Sequence, residues 1–161
     1  MKEIRVGQGL DIHPFEKDGT KPFILGGVEI KDTPGLVGHS DADALIHAIC
    51  DSILGALALG DIGHYFPDTD PEFKNRSSSF FLERIKSLLT EHGWTISNID
   101  TTVLTESPML KPHVPKMKEN LCATLNLKHD QMSIKATRPE KLGSFGRKEG
   151  LLVIANILIF R

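Results

Sequence analysis

Gly38-His39-Ser40-Asp41-Ala42-Asp43-Ala44-Leu45-Ile46-His47-Ala48-Ile49-Cys50-Asp51 carries a polar loop into an amphipathic helix. Ser40 is a good N-cap, and Asp43, three residues on, can bond back as in a capping box. Leu45, Ile46, Ile49, Ile53, Leu54 and Leu57 then recur at helical spacing, and Gly60 stands where a C′ glycine ends a helix. The spacing predicts a helix over 41–59 with Asp43, His47 and Asp51 on one face, at i, i+4 and i+8. His39 precedes it, where free N–H groups and the helix dipole attract an anion. A metal-ligand type on the helix beside an anion site at its start points to phosphate chemistry.

Working outward, residues 4–10 alternate loosely and run into Asp11-Ile12-His13, a strand ending in a polar site with Asp11 and His13 on the same face. Residues 23–30 read as a second strand region with a glycine kink, and 31–37 as a loop. Residues 60–76, broken by Pro67 and Pro71, keep no period and form a long polar loop. A second helix is predicted over 78–91, a strand over 94–105, a third helix over 114–126, and strands over 131–137 and 151–160. Residues 140–150 form a glycine-rich turn between the last two strands. The order β, β, α, α, β, α, β, β makes an α+β domain spanning 1–161, with helices on one face of a mixed sheet. Leu151 to Phe160 barely alternates, so both its faces call for burial. With helices on one side, another subunit is the simplest cover for the other, which predicts a homo-oligomer.

The 161 residues are 40% hydrophobic and 25% charged, the balance of an ordinary globular protein large enough to bury a core. A net charge of −2 without a basic run gives no footprint for nucleic acid or an anionic membrane. No apolar signal region opens the chain, and the longest apolar run is too short to span a bilayer. Cys50 and Cys122 both fall inside helical patterns, as buried thiols of a reducing compartment would. The expected location is the cytoplasm.

Asp11, His13 and His47 offer one carboxylate and two imidazoles, which leaves a tetrahedral position open as in a catalytic zinc site. The competing reading makes them polar strand-end and helix residues. His39 and Ser40 either cap the helix or hold a phosphate. Asp61, Asp68 and Asp70 either solvate a turn or meet polyol hydroxyls or a divalent metal. Thr137-Arg138-Pro139-Glu140, followed by Gly146-Arg147, puts cations and a carboxylate on a tight turn suited to a diphosphate with Mg²⁺ on Glu140. No Gly-x-Ser-x-Gly elbow, Walker loop or complete dinucleotide fingerprint is present.

Taken in order, Gly9-Leu10-Asp11-Ile12-His13, Gly38-His39-Ser40-Asp41-Ala42-Asp43, His47, Leu59-Gly60-Asp61-Ile62-Gly63, Phe66-Pro67-Asp68-Thr69-Asp70, Pro112-His113 and Glu140-Lys141-Leu142-Gly143 with Gly146-Arg147 resemble the 2-C-methyl-D-erythritol 2,4-cyclodiphosphate synthase family of the non-mevalonate isoprenoid pathway. The resemblance covers essentially the whole chain. It implies a homotrimer of ferredoxin-like subunits with active sites between neighbours. It also implies conversion of 4-diphosphocytidyl-2-C-methyl-D-erythritol 2-phosphate to the cyclic diphosphate with release of CMP. By the same resemblance Asp11, His13 and His47 hold Zn²⁺, and Glu140 helps bind a second cation, Mg²⁺ or Mn²⁺. Asp61, Ile62, Gly63, Phe66, Pro67, Asp68, Thr69 and Asp70 contact erythritol and ribose hydroxyls. His39 and Ser40 position the substrate, His39 as transition-state stabiliser. Ile12, Thr137, Arg138, Pro139, Ser144 and Arg147 complete the substrate contacts.

The chain departs from the family pattern at three places. Arg138 replaces a threonine assigned to transition-state stabilisation, which makes it a candidate phosphate contact. Pro108-Met109-Leu110-Lys111 shifts the lysine of the cytosine segment, and Ser144 stands where an aromatic is common. Two other functions stand beside this one: the resemblance implies a cavity along the trimer axis near Arg147 and Glu149, where an isoprenoid-diphosphate-binding protein would hold its ligand, and a zinc-dependent phosphohydrolase would use the same open metal site.

Overall fold

The computed structural model describes residues 3–38, 40–67, 73 and 76–161. Four strands, β1 (Ile4–Pro14), β4 (Thr95–Leu104), β5 (Met132–Thr137) and β6 (Gly150–Phe160), form the main sheet in the order β1-β6-β4-β5. β6 runs antiparallel to both β1 and β4, while β4 and β5 are parallel. The parallel step requires a crossover, and α4 (Val114–Leu125) supplies it. Helices α1 (Ala44–Leu57) and α3 (Ser78–Glu91), with the short α2 (Ile62–Tyr65) and α5 (Gly143–Gly146), complete the α+β architecture.

The main sheet does not have the ferredoxin-like connectivity that the resemblance implied. That motif runs β-α-β-β-α-β, whereas the main-sheet order here is β-α-β-α-β-β. The turn after β5 returns β6 antiparallel into the middle of the sheet, which leaves the parallel pair at an edge.

The second strand region of the sequence reading is in fact a separate hairpin, β2 (Pro22–Leu25) and β3 (Val28–Pro34). Gly26 and Gly27 both have positive φ, 59° and 69°. Two such residues make the tight turn that matches strand twist, so they reverse the chain instead of kinking it. The expected loop at 31–37 is accordingly strand as far as Pro34.

The hairpin also moves the start of α1. Asp43, not Ser40, is the N-cap: its Oδ1 accepts from Ile46 N at 3.1 Å and from Gly26 N at 2.9 Å, and its Oδ2 accepts from Gly27 N at 2.7 Å. Ala42 sits at φ 54°, so the chain is not yet helical there. Ser40 Oγ instead accepts from Ala42 N within the turn. At the other end Ala58, at φ 59°, closes the helix before Gly60 is reached. The helices at 78–91 and 114–125 lie where the periodicity predicts them.

α1 packs directly on β1. A side chain at Gly7 or Gly9 would run into the carbonyls of Ser52 and Ala48, so backbone meets backbone along this seam. The contact carries His47 of α1 to the end of β1 that bears Asp11 and His13. On the helix side of the sheet Val153, Ala155, Ile157 and Ile159 are buried with Ile99 and Val103. The opposite face is apolar too: Val6, Leu10 and Ile12 are 68%, 50% and 51% exposed, beside Leu152, Ile154 and Leu158. The nearly continuous hydrophobicity of β6 thus reflects one face under helices and one that no described element covers.

Candidate metal centre

Asp11, His13 and His47 converge, each offering one donor atom, with all three donors within 4.8 Å of one another. Asp11 Oδ2 lies 3.0 Å from His13 Nε2 and 3.4 Å from His47 Nδ1. This oxygen is buried and makes no hydrogen bond. A buried, unsatisfied carboxylate oxygen is costly. Its position between two imidazole nitrogens is what a divalent cation would satisfy, so the donor set fits a metal.

Each imidazole is oriented from behind. His13 Nδ1 is 2.7 Å from the carbonyl oxygen of Val37. A carbonyl only accepts, so Nδ1 carries the proton and Nε2 turns a lone pair toward Asp11. The next carbonyl along the chain, that of Gly38, accepts from Lys21 Nζ at 2.6 Å, which ties down the segment leading into α1. His47 Nε2 lies 2.9 Å from Ser78 Oγ and 3.4 Å from Ser40 Oγ, which leaves Nδ1 for the centre. Phe81 flanks His47 and packs on Phe66, an apolar wall that limits access of water.

Asp51, on the same helix face as His47, is engaged by a neighbouring element. Its Oδ1 accepts from Ile62 N at 2.7 Å and so anchors α2, while burial raises its carboxyl above the ordinary value. Cys50 is fully buried, and burial drives its thiol up, as suits a small hydrophobe and not a ligand. Asp61 caps α2 by accepting from His64 N, with Ile62 and Gly63 in that first turn and Pro67 exposed beyond Phe66. His39, Asp68, Thr69 and Asp70 lie outside the described residues.

A second group of candidates assembles elsewhere. Thr137 and Arg138 line a cleft of about 120 Å³ with Thr105, Pro108, Met109, Leu110 and Lys111. Pro139, the exposed Glu140 at φ 54°, and Ser144 follow on the same turn. Arg147 pairs with Glu149, Nε to Oε1 at 2.6 Å. This group is not next to the metal centre within one chain. Ile12 pairs with Leu152, Leu152 with Leu104, and Leu104 with Thr137, one row across all four strands. Three interstrand steps of about 4.8 Å separate the two groups by about 14 Å.

Ser78, Asp41, Val37 and Lys21 are supporting residues that the sequence reading did not single out for these roles. Nothing in local spacing links Ser78 to His47, because the two meet only when α3 docks on α1.

The fold and the three-donor centre define a class: α+β proteins with a group of donors able to hold a metal ion at the end of a mixed sheet. The chain belongs to the YgbB family, whose model matches residues 4–160. It is 49% identical over 161 residues to the 2-C-methyl-D-erythritol 2,4-cyclodiphosphate synthase of Synechococcus elongatus, covering 100% of this chain and 99% of that protein. It is 52% identical over 148 residues to the synthase of Francisella philomiragia, covering 92% of each. Among solved structures, the bifunctional IspDF of Campylobacter jejuni superposes with a TM-score of 0.94 at 42% identity, covering 99% of this chain and 43% of that larger one. The Plasmodium falciparum IspF complex with CDP superposes with a TM-score of 0.84 at 36% identity, over 97% and 95% of the two chains. The resemblance read from the motifs is borne out.

Proposed function

We propose that this single domain closes 4-diphosphocytidyl-2-C-methyl-D-erythritol 2-phosphate into 2-C-methyl-D-erythritol 2,4-cyclodiphosphate with release of CMP, a phosphorus–oxygen lyase reaction of isoprenoid precursor synthesis. The observation that carries this reading is the unsatisfied Asp11 Oδ2 between two imidazoles whose outer nitrogens are already engaged. Sequence identity of about half to synthases along the full chain agrees with it.

An oxygen of the substrate 2-phosphate attacks the β-phosphorus, and the bond from that phosphorus to the bridging oxygen breaks. CMP leaves with the bridging oxygen. The nucleophile is already an anion, so the protein needs no general base and must supply alignment and charge neutralisation. Asp11, His13 and His47 would hold Zn²⁺, and Glu140 a second cation, Mg²⁺ or Mn²⁺; bound there, these ions neutralise the phosphates and polarise phosphorus. Arg138 faces the cleft with Thr137 and the Pro108–Lys111 segment, where a cytidine diphosphate would lie with Arg138 against phosphate. His39, Ser40 and the 61–70 segment position the sugar-like half. Ser144 and Arg147 complete the turn, and an isoprenoid diphosphate is a candidate ligand near Arg147 and Glu149.

A separation of about 14 Å is too wide for one compact diphosphate to bridge within a chain. The uncovered apolar sheet face gives the remedy: sheets pack face to face in a homotrimer, and the metal centre of one subunit meets the cleft of its neighbour. Two free buried thiols suit the cytoplasm. Among the described residues no helix is long and apolar enough to cross a membrane.

Phosphorus NMR of the diphosphocytidyl substrate with protein, Mg²⁺ and Zn²⁺, repeated with chelator, tests the reading. Metal-dependent formation of CMP and a two-phosphorus cyclic product is expected. Release of inorganic phosphate, or no turnover with metal bound, would overturn it.

A further inference from the structure

His47 is held from behind by a side chain that no spacing rule connects to it. Ser78, the first residue of α3, is fully buried. Its Oγ contacts two groups: it lies 2.9 Å from His47 Nε2 and donates to Asp41 Oδ1, while Ser40 Oγ stands 3.4 Å from the same His47 nitrogen. Its backbone N–H donates to the other oxygen of Asp41 at 3.0 Å. Asp41 thus grips the start of α3 with both carboxylate oxygens.

A hydroxyl has one proton. An ionised carboxylate only accepts, so the Ser78 proton points to Asp41. The Ser78 oxygen then turns lone pairs toward His47 and can only accept from it. Nε2 must carry the imidazole proton, and Nδ1, the nitrogen 3.4 Å from Asp11 Oδ2, is left bare. The direction of each bond follows from the one before it.

We propose that Asp41 and Ser78 form a directional relay that locks His47 in its Nε2–H tautomer, making both positioning residues for the metal centre. The inference deepens the metal-site reading above and rests on it. It also gives the centre a mechanical link to a distant element, because the same serine opens α3. The segment before α3 carries the substrate-loop motif Phe66-Pro67-Asp68-Thr69-Asp70. The relay therefore ties the first residue of α3 to His47 of α1.

Two full-length variants test the proposal. In Asp41→Asn the new amide can donate to Ser78 Oγ, which frees the serine proton to turn toward His47 and favours the Nδ1–H tautomer. In Ser78→Ala the acceptor that holds the Nε2 proton is removed. The first readout is long-range ¹H–¹⁵N correlation of the imidazoles in metal-stripped protein, under conditions where both rings are neutral. His47 should be Nε2–H in the parent and should shift to Nδ1–H or a mixture in both variants, while His13 stays Nδ1–H throughout. The second readout is Co²⁺ and Zn²⁺ affinity by chelator competition, expected to fall about 10- to 100-fold in either variant. Ser78→Thr, which keeps the hydroxyl, should recover most of that loss. Nδ1–H His47 in the parent protein overturns the proposal, and so does unchanged metal affinity in a folded Ser78→Ala. Should the parent bind no metal, the metal reading fails, and the tautomer measurement still decides the relay.

Discussion

A methyl group on Gly9 would lie 1.9 Å from the carbonyl oxygen of Ala48 and 2.7 Å from the amide of Ser52. No real Cβ tolerates such a contact with backbone, so strand and helix would have to part. Because His47 rides on that helix and Asp11 and His13 on that strand, the seam sets the spacing of the three donors.

Gly9→Ala should therefore destabilise the protein by about 3 kcal/mol or more, beyond ordinary overpacking, and should weaken metal binding at the same time. Gly55, on α1 itself, makes the contrast: a Cβ there meets only Gln8 O at 3.5 Å. Gly55→Ala should stabilise by about 1 kcal/mol through helix propensity. Urea unfolding of the two variants, opposite in sign, checks the seam.

Asp43→Asn should cost about 2 kcal/mol, because one of its three backbone donors would face an amide nitrogen in place of Oδ2. The pH dependence adds a signature. Burial lifts the Asp43 carboxyl from 3.8 to about 6 despite those three N–H bonds. The folded protein then holds this proton more tightly than the unfolded chain does. The contribution of Asp43 to stability is therefore fullest below 3.8, declines as pH rises to about 6, and is flat above. Unfolding free energy of the parent minus that of Asp43→Asn, followed across that range, should show the decline; a difference rising with pH would contradict it.

Asp11→Ala and His47→Ala should each lose bound zinc together with turnover while the chain stays folded. Metal analysis after desalting, with circular dichroism alongside, is the check. Retention of metal in both would remove the ligand assignment.

Arg138→Ala should lower turnover about a hundredfold, the scale of losing one group that neutralises charge developing in a transition state. Unchanged steady-state kinetics would leave Arg138 as a solvated turn residue.

Val6→Glu places a charge on the uncovered sheet face and should dissociate the assembly in sedimentation. A second test uses two impaired proteins. Co-refolding His47→Ala with Arg138→Ala in equal amounts should restore about a quarter of parental activity, because some sites then combine two intact halves across an interface. A site built within one chain would recover none.

Much of this architecture is legible in the chain. The periods of residues 78–91 and 151–160 are strong and local, so the elements fall where the pattern puts them. Asp11, His13 and His47 could be singled out because residue type and spacing alone make them ligand candidates. The misses share a cause, which is that each depends on a partner distant in sequence. Asp43 displaces Ser40 as cap only because the Gly26-Gly27 turn folds back to offer it two more N–H groups. Asp51 anchors α2 because that helix, from another part of the chain, brings the Ile62 amide to it. Ser78 reaches His47 across 31 positions. The ferredoxin-like label fails for a related reason, since strand order is decided by how the turn after β5 returns the chain.

The backbone seam between β1 and α1, and the hold of Asp43 on the Gly26-Gly27 turn, are made of protein groups that are not metal donors. In a zinc finger the ion organises the chain; here the chain has organised the site beforehand, and ion binding has little left to order. Stripping the metal should leave the unfolding transition cooperative and displace it only by the mass-action amount that free ion and affinity dictate. A metal bound there should exchange without the fold having to be rebuilt.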